Sequence, residues 1–184
     1  MSVGDGRYEL GPASGRLQVK TTRTGLGARV GHDLTIEVMR WHADVRIDAA
    51  RPSASSVSVE VDTNSLEVRE GSGGIKPLTD SDRAQIKTTI QQKVLHTGQH
   101  PEITFRSTQI QGTEESFTVD GDLTITGVTQ PVTVHGRIAD GRVQGSATIV
   151  QTRWGIRPYT GFFGALKLSD EVKVEFGADL TPGA

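Results

Sequence analysis

The sequence lacks the residues and segments on which several functional classes depend. It contains no cysteine, which excludes disulfides and thiolate metal sites. No apolar run approaches the ~20 residues that a membrane-spanning helix needs, so no transmembrane segment is predicted. The net charge of −2 provides no basic field to attract a phosphate backbone. We therefore expect no nucleic acid as a partner.

Recognisable catalytic motifs are also missing. No Gly-x-Ser-x-Gly elbow occurs, and none of the histidines has a nucleophile setting around it. His96 and His100 are spaced for one helical face, but Gly98 and Pro101 indicate that the helix ends between them. The sequence therefore predicts no catalytic residue, no metal site and no cofactor, and a protein that is not an enzyme.

The 184 residues contain no linker or change in composition, which predicts a single domain over residues 1–184. The first residues, "MSVGDGRYELGPASG", lack the features of a secretory signal, so a cytoplasmic location is expected unless a leader was removed. Nothing in the pattern decides the oligomeric state, and a homodimer stays open.

Alternation of apolar and polar residues with a period of two recurs through most of the chain and predicts about eight or nine strands. The parity changes between Val38 and Trp41, which indicates a turn or bulge near Met39 and Arg40. The stretch "GDLTITGVTQPVTVHG" (121–136) predicts a hairpin whose corner is the Gly-Val-Thr-Gln-Pro segment. Strands with one apolar face are typical of antiparallel sheets.

One region follows a helical period instead. Ile86, Ile90 and Val94 recur every fourth residue, and Thr79 or Ser81 can cap the start of a helix over about residues 80–96. Many antiparallel strands with one helical insertion favour a closed barrel, because closure removes exposed sheet edges. A two-sheet sandwich is the alternative.

If the sheet closes, the apolar side chains at alternate positions of its strands point inward and form the wall of any cavity. The predicted inward positions are Leu34, Ile36, Val45, Val59, Phe105, Phe117, Leu123 and Ile125.

Four aromatic residues stand apart from the strands, in the glycine-punctuated segment "RWGIRPYTGFFGALKL": Trp154, Tyr159, Phe162 and Phe163. Trp154, Phe162 and Phe163 suit a lid over the wider end of an apolar tunnel, although aromatics here can equally plug the barrel. Arg153 or Arg157 would then lie near the rim, where either could meet an anionic head group.

Two blocks resemble the YceI-like family. "HPEITFRST" (100–108) is similar to its Tyr-Pro-x-Ile-x-Phe-x-Ser strand, with His100 in place of tyrosine, and "FTVDGDLTITGVTQPVTV" (117–134) resembles its Gly-x-Leu-Thr-Ile-x-Gly-Val-Thr-x-Pro-Val block. The resemblance extends over about residues 55–180. It is weakest at "SDRAQIKTTI" (81–90), where the histidine often found in relatives is missing.

The resemblance implies an all-β, lipocalin-like extended antiparallel barrel of about eight strands with one inserted helix. It further implies a long-chain isoprenoid or fatty amphiphile as the partner, held without catalysis; many members of the family are periplasmic. The residues alone leave two function classes open. One is a lipid-binding carrier with a hollow barrel, and the other is a solid-cored interaction or structural domain.

Overall fold

The computed structural model describes residues 3–25, 31–74, 76–161 and 166–181. Within these ranges the chain is mostly strand. The strands are β1 (Gly6–Leu10), β2 (Gly15–Lys20), β3 (Arg23–Thr24), β4 (Asp33–Val38), β5 (Trp41–Ile47), β6 (Ser56–Asp62), β7 (Leu66–Ser72), β8 (Glu102–Thr113), β9 (Ser116–Ile125), β10 (Val128–Ala139), β11 (Arg142–Val150), β12 (Thr160–Gly161), β13 (Leu166–Leu168) and β14 (Glu171–Asp179). Helix α1 covers Asp80–Thr89 and continues as a π-helical turn over Ile90–Val94.

Eleven of the described strands form one antiparallel sheet, in the order β1-β5-β6-β8-β9-β10-β11-β14-β2-β4-β7. The sheet curls strongly into a half-barrel, which confirms the lipocalin-like class and excludes two stacked sheets. Within the described ranges its end strands β1 and β7 do not pair with each other, so hydrogen bonds between end strands do not complete the full closure expected from the sequence. A second, small sheet has the order β12-β13-β3. The expected number of about eight strands is too low, because bends divide continuous stretches of chain and the shortest strands carry too few residues to show alternation.

A corner joins the two outer regions of the curled sheet. β4 leads into β5 through Met39 and Arg40, and β6 leads into β7 through a short 3-10 turn over Thr63–Ser65. The two bent segments pair with each other on both sides of the corner, where the Met39 amide donates to the Ser65 carbonyl at 2.9 Å. The predicted irregularity near Met39 and Arg40 is therefore confirmed.

The β9–β10 hairpin exists, but its turn lies earlier than predicted. Ile125 pairs with Val128, so Thr126 and Gly127 form the turn, with φ of 51° and 76°. Positive φ at both central positions matches the twist of a two-residue hairpin. Pro131, which the sequence placed in the corner, lies within β10 opposite Asp122.

Helix α1 begins with a reciprocal capping box. The Thr79 hydroxyl accepts a hydrogen bond from the Asp82 amide, and the Asp82 carboxylate accepts one from the Thr79 amide. The bond donated by the Thr79 amide is the main cause that holds the pKa of Asp82 below its ordinary value. The predicted helix is confirmed, with Ile90–Val94 in the wider π form. No described helix is long and apolar enough to cross a bilayer.

Candidate functional site

The curled sheet and α1 surround a cavity of about 1020 Å³. His32 and Asp48, which lie just beyond the two ends of the bent β4–β5 segment, both line it. The cavity is therefore an elongated tunnel that follows the length of that segment. Its volume is at the upper limit of ordinary ligand sites, which measure ~300–1,000 Å³.

The inward positions expected from the alternation all line this tunnel. They are Leu34, Ile36, Val45, Val59, Phe105, Phe117, Leu123 and Ile125. Leu34, Ile36 and Ile125 are at most 7% exposed, whereas the other five are only half-buried although their side chains face inward. A filled barrel would bury them all, so their residual exposure reflects the hollow interior. Whether they touch a lipid stays a prediction.

Three phenylalanines lie against strand glycines, which limits how far their rings enter the tunnel. Phe117 pairs directly with Gly136, and Phe176 pairs with Gly145. A Cβ on Gly136 would lie 2.5 Å from Cζ of Phe117, and one on Gly145 would lie 2.5 Å from Cζ of Phe176. Phe105 pairs with Leu123, and its ring lies against Gly121, where an added Cβ would clash with Cζ of Phe105. Each ring therefore occupies space that any larger residue would take, and the tunnel stays wide.

Trp154 does not belong to the lid that the sequence suggested. Its side chain is 1% exposed and packs in the core cluster that contains Ile125, Ile149 and Ile156, and it is not one of the tunnel-lining residues. The indole Nε1 donates to the Leu123 carbonyl at 2.9 Å. The reason is local: Gln151–Trp154 form a 3-10 turn that ends at Gly155 with φ of 74°, and this turn directs the indole into the core.

The other residues predicted for the lid and its rim fall into two groups. Phe162 and Phe163 lie outside the described residues. Arg153 and Arg157 are exposed and do not line the tunnel, so neither forms its rim as predicted. The Arg153 guanidinium lies 5.4 Å from the Trp154 ring centroid and donates to the Pro131 carbonyl, because that turn faces the outer surface of the sheet.

Helix α1 and the π-helical turn supply a tunnel wall that the sequence analysis did not assign to the site. Ile86, Ile90 and Val94 line the cavity, and Ile86 and Ile90 pack against the core cluster formed by β4, β6 and β7. An ion pair between Lys87 and Glu67 fixes the helix to β7. The signal was present in the four-residue spacing of these apolar positions, which on a short exposed helix indicates a face turned toward an apolar surface.

Charged side chains among the described lining residues are confined to the ends of the tunnel. Arg46, Asp48 and Glu114 are found at one end, and His32 and Asp82 are found at the other. A ring nitrogen of His32 lies 2.7 Å from the Lys76 carbonyl oxygen. Between these ends the walls are almost entirely apolar. Within the described ranges, no three His, Asp or Glu side chains come together in a group that could hold a metal.

This geometry agrees with what comparison with known proteins shows. Residues 8–180 match the YceI-like domain. The chain belongs to the YceI-like family. Among curated YceI-like relatives, a UPF0312 protein of Yersinia enterocolitica is 27% identical over 129 residues, which cover 70% of this chain and 54% of that protein. Protein YceI of Escherichia coli is 30% identical over 91 residues, covering 50% and 41%. The aligned region thus spans about half the length of these relatives.

Solved structures show the same fold. The YceI-like chain superposes on BcnA of Burkholderia cenocepacia with a TM-score of 0.65 at 20% identity, covering 90% of this chain and 96% of that one. A polyisoprenoid-binding domain from Saccharophagus degradans gives a TM-score of 0.58 at 12% identity, with coverage of 97% and 100%. At these identities the likeness establishes the architecture.

Proposed function

We propose that this YceI-like chain binds a long-chain apolar or amphiphilic lipid of the isoprenoid type inside the tunnel, and carries it without catalysing a reaction on it. The observation that carries the proposal is the partial exposure of inward apolar residues such as Val45, Val59 and Phe105. Apolar surface facing an unfilled space gains free energy when an apolar chain covers it. The name of the Saccharophagus degradans domain, which describes polyisoprenoid binding, supports the same ligand class.

The energetics of an apolar tunnel suit a flexible chain. Burial of each methylene group contributes about 0.8 kcal/mol, so a chain of roughly fifteen carbons gains more than the several kcal/mol lost in ordering it. Micromolar or tighter binding follows without a specific polar site. The tunnel also argues against the alternative of a solid-cored interaction domain, since close-packed interiors contain few voids larger than a water molecule.

Native mass spectrometry can test the proposal with a matched pair of variants on β6. Val59 faces the tunnel, whereas its neighbour Ser58 is exposed on the outer surface. Val59→Trp fills tunnel volume, and Ser58→Trp adds the same side chain outside. We expect wild type and Ser58→Trp to retain an added isoprenoid alcohol, and Val59→Trp to lose it. Equal retention by all three proteins would place the lipid elsewhere, and no retention by wild type would refute lipid binding.

A further inference from the structure

An exposed aromatic side chain lies where the tunnel reaches the surface. Tyr159 is 43% exposed and lines the cavity, and the nearby Arg157 and Thr160 are exposed as well. Among the described residues, the other large apolar side chains left exposed are Met39 and Val128, and neither lines the cavity. A single exposed apolar residue is ordinary, but one that continues the wall of an apolar tunnel marks the surface that a partner meets first.

Backbone contacts place Tyr159 at the His32 end of the tunnel. The Leu168 amide donates to the Tyr159 carbonyl at 3.0 Å, and Leu168, which also lines the tunnel, pairs with Arg23. The Arg23 amide donates to the carboxylate of Asp33, the residue after His32, at 2.9 Å. The small sheet of β12, β13 and β3 therefore holds Tyr159 beside this opening. A tyrosine, with its apolar ring and polar tip, suits a boundary between lipid and water.

Two exposed lysines accompany Tyr159 at this end. Lys167 pairs with Thr160, and the Lys76 carbonyl oxygen lies 2.7 Å from a ring nitrogen of His32. Neither lysine forms an ion pair among the described residues. Three carboxylates at this end have other partners: Asp33 pairs with Arg23, Asp80 pairs with Arg83, and Asp82 caps α1. The described part of the opening thus offers two uncompensated cations, although the whole chain has a net charge of −2.

We propose that this opening is a lipid port that docks on an anionic phospholipid surface. Tyr159 lies at the boundary between lipid and water, and Lys76 and Lys167 are attracted to the head groups. The opposite end of the tunnel suits such a surface less well, because the β8–β9 turn there carries Glu114 and Glu115.

The inference rests on the proposed function and deepens it, because it names the surface with which the tunnel exchanges its lipid. A long-chain lipid released into water exposes its whole apolar surface, and the free-energy cost rises with each methylene group. Transfer during contact between the port and a bilayer avoids that exposure.

Retinol, a fluorescent isoprenoid alcohol, can test the port. Wild-type protein loaded with retinol is mixed with phosphatidylcholine vesicles that contain a quenching lipid, with or without phosphatidylserine. We expect the transfer rate to rise in proportion to vesicle concentration, and to be about tenfold higher with phosphatidylserine. Release through water would instead give a rate that does not depend on vesicle concentration.

Matched variants locate the docking surface. Tyr159→Ser should slow transfer about tenfold, whereas Val128→Ser, which removes an exposed apolar side chain elsewhere, should transfer like wild type. Weaker retinol binding alone would speed release, so slower transfer identifies a docking role. Lys76→Glu combined with Lys167→Glu should abolish the preference for phosphatidylserine. Arg137→Glu, a charge reversal on the outer face of β10, should retain it.

The outcomes separate docking from lipid binding. A wild-type rate that does not depend on vesicle concentration, or equal slowing in Val128→Ser and Tyr159→Ser, refutes the port while lipid binding stands. Loss of the phosphatidylserine preference in Arg137→Glu refutes the assignment of the two lysines. If wild type binds no retinol at all, lipid binding in the tunnel fails, and the port fails with it.

Discussion

The indole Nε1 of Trp154 donates to the backbone carbonyl of Leu123 at 2.9 Å and ties the turn after β11 to strand β9. Trp154→Phe removes this bond and opens a void beneath the turn. We expect a loss of about 2–4 kcal/mol in the free energy of unfolding, measured by urea denaturation. Trp41→Phe is the matched control and should be close to neutral, because its N–H has no partner among the described residues. Equal losses of stability in both variants would contradict the stabilising role of the hydrogen bond between Trp154 and Leu123.

Tryptophan fluorescence should report lipid uptake through Trp41. The Trp41 ring lines the tunnel, whereas Trp154 is 1% exposed and packs outside it. The Trp154→Phe variant, which retains only Trp41, should therefore show a spectral shift when an isoprenoid alcohol is added. Trp41→Phe should show almost none. The opposite pattern would indicate that the lipid reaches the turn at residues 151–154.

The contact between Gly136 and Phe117 should control tunnel width. In Gly136→Ala, the new methyl group must displace the Phe117 ring, at a cost of about 1–3 kcal/mol in stability. The displaced ring should also weaken lipid binding, and Phe117→Leu in the same chain should restore it. Gly98→Ala is the control, since a Cβ there meets nothing within 4 Å. Unchanged affinity in Gly136→Ala would show that the ring can move without entering the lipid's path.

The corner between β6 and β7 should make stability sensitive to acid. A hydrogen bond from the Arg40 side chain, at 2.8 Å, is the main cause that lowers the pKa of Asp62 in the folded protein. Its contribution is present above the ordinary pKa of an unfolded aspartate, near 3.9, and is lost as pH falls through the lower folded value. Both side chains are more than one third exposed, so solvent screening limits the effect to about 1 kcal/mol or less.

Denaturation curves for wild type and Asp62→Asn can measure this contribution. The two proteins should differ most at neutral pH and converge as the pH falls through the lowered pKa of Asp62. Asp82→Asn provides a comparison on the helix, where the lowered pKa comes from the capping box and no arginine at the corner is involved. A constant difference across the acid range would mean that Asp62 acts there through its size or backbone contacts alone.

The inward-facing residues could be predicted because alternation along a strand determines on which face of the sheet each side chain lies. Parity alone places Val45, Phe105 and Leu123 on the inner face, and the structure confirms it. The same reasoning failed for Trp154, which lies in a 3-10 turn where parity has no meaning. The acceptor that holds it belongs to β9, and no local pattern could reveal that partner.

The hairpin turn and the tunnel show two further limits. Thr126 takes a left-handed conformation that its residue type disfavours, so the sequence pointed to the Pro131 region instead. Whether the barrel is hollow depends on how Phe117 and Gly136 meet across strands, which requires the register. The cytoplasmic location and the lack of catalysis stay predictions.

The bent segments on either side of the corner also bear on the order in which the chain folds. Their pairing is local, so it costs little loop-closure entropy and can form early. The pairing of β2 with β14 is different, because Val19 faces Val174 and the intervening chain must first be arranged. Val174→Ala should therefore speed unfolding and barely change refolding in stopped-flow experiments, as expected of a contact absent from the folding transition state. The β2–β14 pairing completes the wall of the tunnel, so a protein that forms this pairing last acquires its cavity only in the final step of folding.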